Sequence, residues 1–145
     1  MIGVKIDKSM FFDRKPVMDA VGKATRKVLS KFGAFVRQTA RSSIRKRKSI
    51  SKPGQPPSSH VGTLKKLIYF GYDAGRRSVV IGPTPLSGKG QAPPLLEHGG
   101  KARIVQYRRG KKMTVAATYR PRPFMQPAFE KEKKRLSALW ANSVK

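Results

Sequence analysis

Apolar positions recur with two different periods along the chain, and these periods predict its first secondary-structure elements. Residues 2–6 alternate between apolar side chains and small or charged ones, which is typical of a short β-strand. Asp13 and Pro16 then mark the start of a helix, because Asp is a good cap and Pro is tolerated in the first turn. We therefore expect a short strand followed by a long helix that ends near Ile44.

The long helix has one apolar and one cationic face. At about 100° per residue, its main apolar positions fall within roughly 80° of arc and predict the side that packs on the core. They are Val17, Val21, Ala24, Val28, Phe32 and Phe35. Its basic positions fall within roughly 100° on the opposite side. They are Lys23, Arg26, Lys27, Arg37, Arg41 and Arg45.

The rest of the chain predicts two hairpins and a final helix. Segments 67–72 and 78–82 flank a Gly-containing turn, and segments 102–107 and 113–119 flank a strongly basic one. The helix starts near residue 126, since the apolar residues that follow share one face. Those residues are Phe129, Leu136, Leu139, Trp140 and Val144, and we expect Phe129 and Trp140, like Phe124, to lie in the core.

Between these elements the chain predicts connections of two kinds. Segments 63–66 and 95–98 are expected to form short helical turns, the second ended by the pair Gly99-Gly100. Segments 45–62 and 83–94 are rich in Pro, Gly, Ser or charge and predict loops, which we expect to extend as arms from a single domain, residues 1–145.

This order of elements predicts an α+β fold. We expect an antiparallel sheet made of the two hairpins plus the N-terminal strand. One long N-terminal helix and one C-terminal helix should pack on that sheet.

Charge is the feature that narrows the function most. The chain has 33 Lys and Arg against 7 Asp and Glu, a formal net charge of +26. So much like charge on a small domain repels itself, so the compact state needs counter-charge. Nucleic acid, an anionic membrane surface and an acidic protein could each supply it.

No apolar run approaches the roughly 20 residues that span a membrane, and the absence of cysteine excludes disulfides and fits a cytosolic origin.

The basic residues are concentrated in one stretch of the chain. Between Ala20 and Tyr72 there is no acidic residue, so the helix face cannot form the mixed-sign pairs of an ordinary solvated face. A solvated face remains the alternative to a binding site for an anionic partner, either DNA or acidic protein. No helix-turn-helix, zinc-finger or RNP aromatic pattern is visible, so any DNA contact should be independent of sequence. The candidate residues are Lys23, Arg26, Lys27, Arg37, Arg41, Arg45, Lys46, Arg47 and Lys48.

The residues that could carry catalysis or bind a metal are few. His60 lies in a Pro/Ser-rich loop, and with no cysteine a zinc site lacks ligands. Glu97 and His98 are neighbours in the chain, so on a helical turn their side chains diverge and do not form an acid–base pair. No nucleophile elbow or Walker-type loop is present. We therefore expect no enzymatic activity, no catalytic residue, no metal and no cofactor.

Three segments resemble the tail-completion or neck proteins of long-tailed bacteriophages, also called head–tail joining or minor tail proteins. The first is the end of the long helix, Ala40-Arg41-Ser42-Ser43-Ile44, which runs into a Pro-rich loop and a hairpin, Gly54-Gln55-Pro56-Pro57-Ser58-Ser59-His60-Val61-Gly62-Thr63-Leu64-Lys65-Lys66-Leu67-Ile68. The second, Leu95-Leu96-Glu97-His98-Gly99, is similar to the family's Glu-aromatic-Gly turn. The third, Arg122-Pro123-Phe124-Met125-Gln126-Pro127-Ala128, is similar to its Arg-Pro-Phe-apolar-x-Pro-Ala entry into the last helix.

The third segment also makes sense physically as a structural joint. Pro123 and Pro127 restrict the backbone, while Phe124 can plug into the sheet, so the last helix would leave at a set angle. The chain departs from the family pattern at His98, where an aromatic residue is usual, and in the very basic run 45–52.

The resemblance implies a structural virion subunit rather than an enzyme. It implies a homo-oligomeric ring, a hexamer or dodecamer, at the phage neck or tail top, which joins the head connector to the tail and contacts tail-terminator or tail-tube proteins. Assembly would take place in the host cytoplasm, and no membrane would be among the partners. Non-specific contact with DNA in the channel would be consistent with the strongly positive net charge of the chain. The alternative is a sequence-independent nucleic-acid-binding protein, for which charge alone is the argument.

Overall fold

The fold combines one long helix with short helices and hairpins. The computed structural model describes residues 13–84, 92–141 and 143–144, so the predicted N-terminal strand and positions 85–91 of the second predicted loop lie outside the described residues. The helices are α1 (Arg14–Ser43), α2 (Thr63–Lys66), α3 (Ala92–His98), α4 (Met125–Lys133) and α5 (Leu136–Trp140). The strands are β1 (Arg45–Lys46), β2 (Ser58–Ser59), β3 (Ile68–Asp73), β4 (Ser78–Pro83), β5 (Gly100–Arg108) and β6 (Lys111–Tyr119). The α+β class is confirmed.

Both predicted hairpins form, but within the described residues they do not share a sheet. β3 pairs with β4 and β5 with β6, each antiparallel, while β1 and β2 form a short parallel pair. The expectation of one sheet was therefore wrong. α1 packs on β3 and β4, whereas β5 contacts α3. The second hairpin carries cations on both of its faces, so covering either face with a helix would bury unpaired charge.

The core runs along α1 in steps of four residues. Its line of buried side chains is Ala24, Val28, Phe32, Val36, Ala40 and Ile44. Leu64, Ile68, Phe124 and Ala128 close the core from α2, β3 and the start of α4. A four-residue step advances about 40° beyond a full turn, so the buried line winds around the helix. This corrects the predicted stripe at its start, where Val17 and Val21 are 43% and 38% exposed.

The predicted C-terminal helix is broken into α4 and α5. The Arg135 amide donates to the carbonyl of Glu132 at 2.9 Å, a tight last turn, and the three basic residues 133–135 favour the negative end of α4. Val144 lies beyond α5, and Phe129 and Trp140 are 38% and 37% exposed. Of the three aromatic residues expected in the core, only Phe124 is fully buried.

A close approach at Gly33 sets the distance between α1 and the β3–β4 hairpin. A Cβ there would lie 2.7 Å from Val79 Cγ2 and 2.9 Å from Phe70 Cδ2, whereas at Gly22 in the same helix it would meet nothing within 4 Å. Gly22→Ala should raise the free energy of unfolding by about 0.5–1 kcal/mol through helix propensity. Gly33→Ala should lower it by about 1 kcal/mol or more, since overpacking outweighs the same propensity gain. Urea denaturation of the two variants measures both changes. A stabilised Gly33→Ala variant would contradict the close packing.

Candidate functional site

A single carboxylate, that of Glu97, caps helix α4 from a distant part of the chain. Its Oε2 accepts from the amides of Phe124 at 2.9 Å and Met125 at 3.1 Å, and its Oε1 accepts from Gln126 at 2.8 Å. The next residue, Pro127, has no amide hydrogen to satisfy. The free N–H groups at the start of α4 are thus accounted for, and the negative charge lies at the positive end of the helix.

The local sequence explains why a remote cap is used. Phe124 occupies the cap position of α4, with φ −135° and ψ −29°, and its side chain offers no hydrogen bond. That side chain is instead the largest fully buried one, at 1% exposure. Because the residue that should cap the helix is used as a core plug, the cap comes from Glu97, 27 positions earlier. Pro127, in the first turn of α4, takes no part in the core and is exposed.

Arg122 links the third segment of the resemblance to the second, and it also bonds Ser51, three residues before Gly54 of the first segment. Its amide donates to the carbonyl of Leu96 at 2.6 Å, and its Nε donates to the carbonyl of Ser51 at 2.9 Å. The amide of Gly54 donates to the carbonyl of Pro121 at 2.9 Å. The Pro-rich loop, the α3 turn and the entry into α4 therefore meet at one place. We call this place the joint and define it by Glu97, Pro123, Phe124, Pro127 and Arg122.

The joint also forms the base of the β5–β6 hairpin. Glu97 precedes β5 by three positions, and Arg122 follows β6 by three. The hydrogen bonds of these two residues therefore fix both strands where they leave the body of the domain. The direction of the hairpin is set by the joint.

A buried acid on α4, which the sequence did not single out, fixes the far side of the same helix. Glu132 is 3% exposed, accepts from the Thr39 hydroxyl at 2.7 Å and pairs with Arg135 at 3.5 Å. Phe32 and Phe129 meet edge to face beside it, with ring centroids 5.8 Å apart. α4 is thus held at its start by Glu97 and in its last turn by Thr39 of α1.

The loop expected to extend as an arm at 45–62 instead folds against the body. β1 and β2 pair across it, and Ser51 and Pro57 are buried. The hydrogen bonds from Arg122 to Ser51 and from Gly54 to Pro121 tie its middle to the joint. Pro57 and these backbone bonds supply the anchoring that the low apolar content of the loop did not predict.

The cationic face of α1 is only partly free for a partner. Lys23, Arg26 and Lys27 are exposed, and Asp19 lies beside Lys23 and Lys27 in a shallow depression at the start of the helix. Arg37 is different, because it is half-buried. Its Nε donates to the carbonyl of Ile68 at 2.8 Å and its guanidinium lies 5.9 Å from the Tyr69 ring. Arg37 therefore attaches α1 to β3, a structural role that its place on the basic stripe did not indicate.

The remaining candidate cations follow the end of α1. Arg41 is half-buried, while Arg45, Lys46, Arg47 and Lys48 are exposed. A depression beside the joint collects two of them with a third cation that sequence reasoning missed. Its charged lining is Arg45, Arg47 and Lys131, and its hydroxyl lining is Thr39, Ser42, Ser43 and Ser58. The guanidinium and ammonium groups are suited to an anion, whereas the hydroxyls of Thr39, Ser42 and Ser43 already donate to protein acceptors.

The two histidines lie apart from any acidic cluster. Glu97 is engaged by three backbone amides, so it is not a partner for the exposed His98. Within residues 13–84, 92–141 and 143–144, no group of three or more metal-ligating side chains comes together. Among the helices that the structure describes, none combines the length and apolar character needed to cross a membrane.

Comparison with known proteins gives no match. No family model matches the chain. No curated protein and no solved structure matches it significantly.

Proposed function

We propose that the chain is a structural virion subunit of a long-tailed bacteriophage. It forms a ring, a hexamer or dodecamer, at the neck or tail top and joins the head connector to the tail-terminator or tail-tube proteins. It has no catalytic residue and needs no cofactor.

The observation that supports this proposal is the joint. Two of the three segments that resemble parts of the neck-protein family are joined by the hydrogen bonds of Glu97 and by the amide of Arg122. The Pro-rich loop of the remaining segment is attached beside them through Ser51 and Gly54. The pairing of β5 with β6 already brings the second and third segments close, so the attachment of the Pro-rich loop is the contact that adds most to the resemblance. A motif set whose members support one another in space is a stronger argument than the same motifs separately.

The joint suits a subunit that must present surfaces in fixed directions. It holds the start of α4, the base of the β5–β6 hairpin and the Pro-rich loop in one unit, and the loop carries Arg45 and Arg47 at the surface. In a ring, two such surfaces on one subunit meet neighbours at a set angle, so their relative orientation matters more than chemistry.

Genetic complementation tests the proposal. Particles made without the chain should be full heads and separate tails, and wild-type chain supplied in trans should restore joined virions. Supplying Glu97→Gln should restore fewer joined particles than the exposed control Glu130→Gln. Joined, infectious particles in the complete absence of the chain would contradict the proposed role.

The second candidate function is sequence-independent binding of nucleic acid, which the exposed cations at the start of α1 favour. Log affinity for random duplex DNA falls as log salt rises, and the double variant Lys23→Gln with Lys27→Gln should make the slope of this fall less steep by about 1.8. Each lost phosphate contact removes about 0.9 from that slope. Lys65→Gln with Lys66→Gln is the matched control, since both lysines are exposed on α2.

The outcomes separate the two candidates. A lower slope in the α1 variant alone supports a DNA contact on this face. If the α1 variant keeps its DNA affinity and slope but fails to support head–tail joining, the face contacts an acidic protein in the ring instead.

A further inference from the structure

The β5–β6 hairpin stands away from the other residues that the structure describes. Each strand has nine residues, which corresponds to a ribbon about 30 Å long. Beyond its base nearly every side chain is exposed, including Tyr107 at 74% and Val105 at 51%. An isolated two-stranded ribbon is marginally stable in water, so an exposed ribbon of this length is expected to have a binding partner.

Charge indicates what kind of partner this is. The hairpin has six basic residues and no acidic one, and the chain has no acid between His98 and Phe129. The strand register puts Lys101, Arg103 and Lys112 on one face of the ribbon and Arg108 and Lys111 on the other. Positive charge therefore surrounds the ribbon, so the chemistry that complements it is anionic.

The tip of the hairpin contains two features that oppose its own folding. Arg108 and Lys111 are direct cross-strand partners, and like charges in that position repel. Arg109 and Gly110 form the two-residue loop with φ of 52° and 75°, a turn that favours Asn-Gly over Arg-Gly. Arg109 supplies charge at the tip at the expense of turn geometry.

We propose that the β5–β6 hairpin is a nucleic-acid-binding arm that enters a groove of duplex DNA. Its tip residues Arg108, Arg109, Lys111 and Lys112 contact the phosphates on both walls of the groove. The major groove is about 12 Å wide and admits a two-stranded ribbon, whose strands are about 4.8 Å apart. In this mode the four side chains contact phosphates and not base edges, and phosphates carry no sequence information, so binding is independent of sequence.

The distribution of charge favours DNA over the other anionic partners. A membrane surface or the flat face of an acidic protein would contact one face of the ribbon and leave the cations of the other face in solvent. A groove presents phosphates to both faces at once. The geometry and charge of the arm are independent of the proposed role in a virion, so DNA binding by the arm and that role can each fail without the other.

A pair of matched variants tests the arm. Arg109→Gly and Arg77→Gly each remove one exposed arginine from a hairpin turn at positive φ, 52° and 48° respectively. Both should keep or raise the melting temperature, because Gly adopts positive φ without strain. Fluorescence anisotropy with a random duplex should show a salt slope lower by about 0.9 for Arg109→Gly and unchanged for Arg77→Gly.

A fourfold variant enlarges the effect. Arg108→Gln, Arg109→Gly, Lys111→Gln and Lys112→Gln together should lower the salt slope by about 3.6. Three results would overturn the proposal: equal slope changes in the two glycine variants, an unchanged slope in the fourfold variant, or no binding of wild-type protein to duplex DNA. A fourth result would also overturn the proposal. If the fourfold variant loses binding to polyglutamate or to vesicles with phosphatidylserine but keeps its DNA binding, the arm contacts an acidic protein or a membrane.

Discussion

Phe124→Ala is expected to lower the free energy of unfolding by about 3–5 kcal/mol, the range for emptying a buried aromatic site. The side chain is 1% exposed and packs in the cluster that contains Ile44, Ile68 and Val36. It joins the core at the point where α4 begins, so the cavity would lie beneath the joint and little backbone could move to fill it. The loss should therefore lie well above that of an ordinary surface substitution.

Equilibrium denaturation in urea measures this loss, and Phe129→Ala is its control. Phe129 lies on the same helix and loses the same atoms, but it is 38% exposed. Its replacement should cost less than half as much, mainly the edge-to-face contact with Phe32. Equal losses at the two positions would mean that Phe124 is not a core plug.

Glu97→Gln is expected to lower the free energy of unfolding by about 2 kcal/mol. The carboxylate accepts three amide hydrogen bonds, and hydrogen bonds to a charged group contribute about 1.5–3 kcal/mol. Gln keeps the size but has one accepting oxygen and no charge, so it cannot serve Phe124, Met125 and Gln126 together. Favourable interaction with the helix dipole is lost at the same time.

Hydrogen exchange locates this effect as well as measuring it. In the Glu97→Gln variant, the amides of Phe124, Met125 and Gln126 should lose more protection than the amides in the middle of α1. Glu130→Gln is the control, because Glu130 is exposed on α4 and accepts only from the Gln126 side chain at 3.1 Å. Unchanged protection of the three amides would show that the Glu97 carboxylate does not cap them.

Most of the secondary structure could be predicted because its signals are local. The cap Asp13 accepts from the Lys15 amide at 3.1 Å, and α1 begins where Asp and Pro indicated. β5 reaches one residue closer to the turn than its apolar pattern predicted, and β6 reaches two residues closer, since Arg108 and Lys111 pair despite their charge. The buried face of α1 was predicted less well. The prediction assumed that the apolar side chains stay within one arc of the helix, whereas the buried positions shift around the helix by about 40° with each step of four residues.

The site was predictable only in part. The joint residues Pro123, Phe124 and Pro127 were identified from their own segment, but the Glu97 cap connects positions 27 apart and leaves no periodic signal. Arg37 shares the spacing of the basic stripe, so only its contact with Ile68 shows that it serves the fold. Side chains that hold distant elements together are the part of a site that a single sequence does not reveal.

The copy number of the chain in purified virions tests the central proposal most directly. Quantitative mass spectrometry on particles of the phage that encodes it should find the chain at the level of one ring, a hexamer or dodecamer, together with the connector and tail proteins. Its absence from virions, or a copy number far above that of a single ring, would contradict the account.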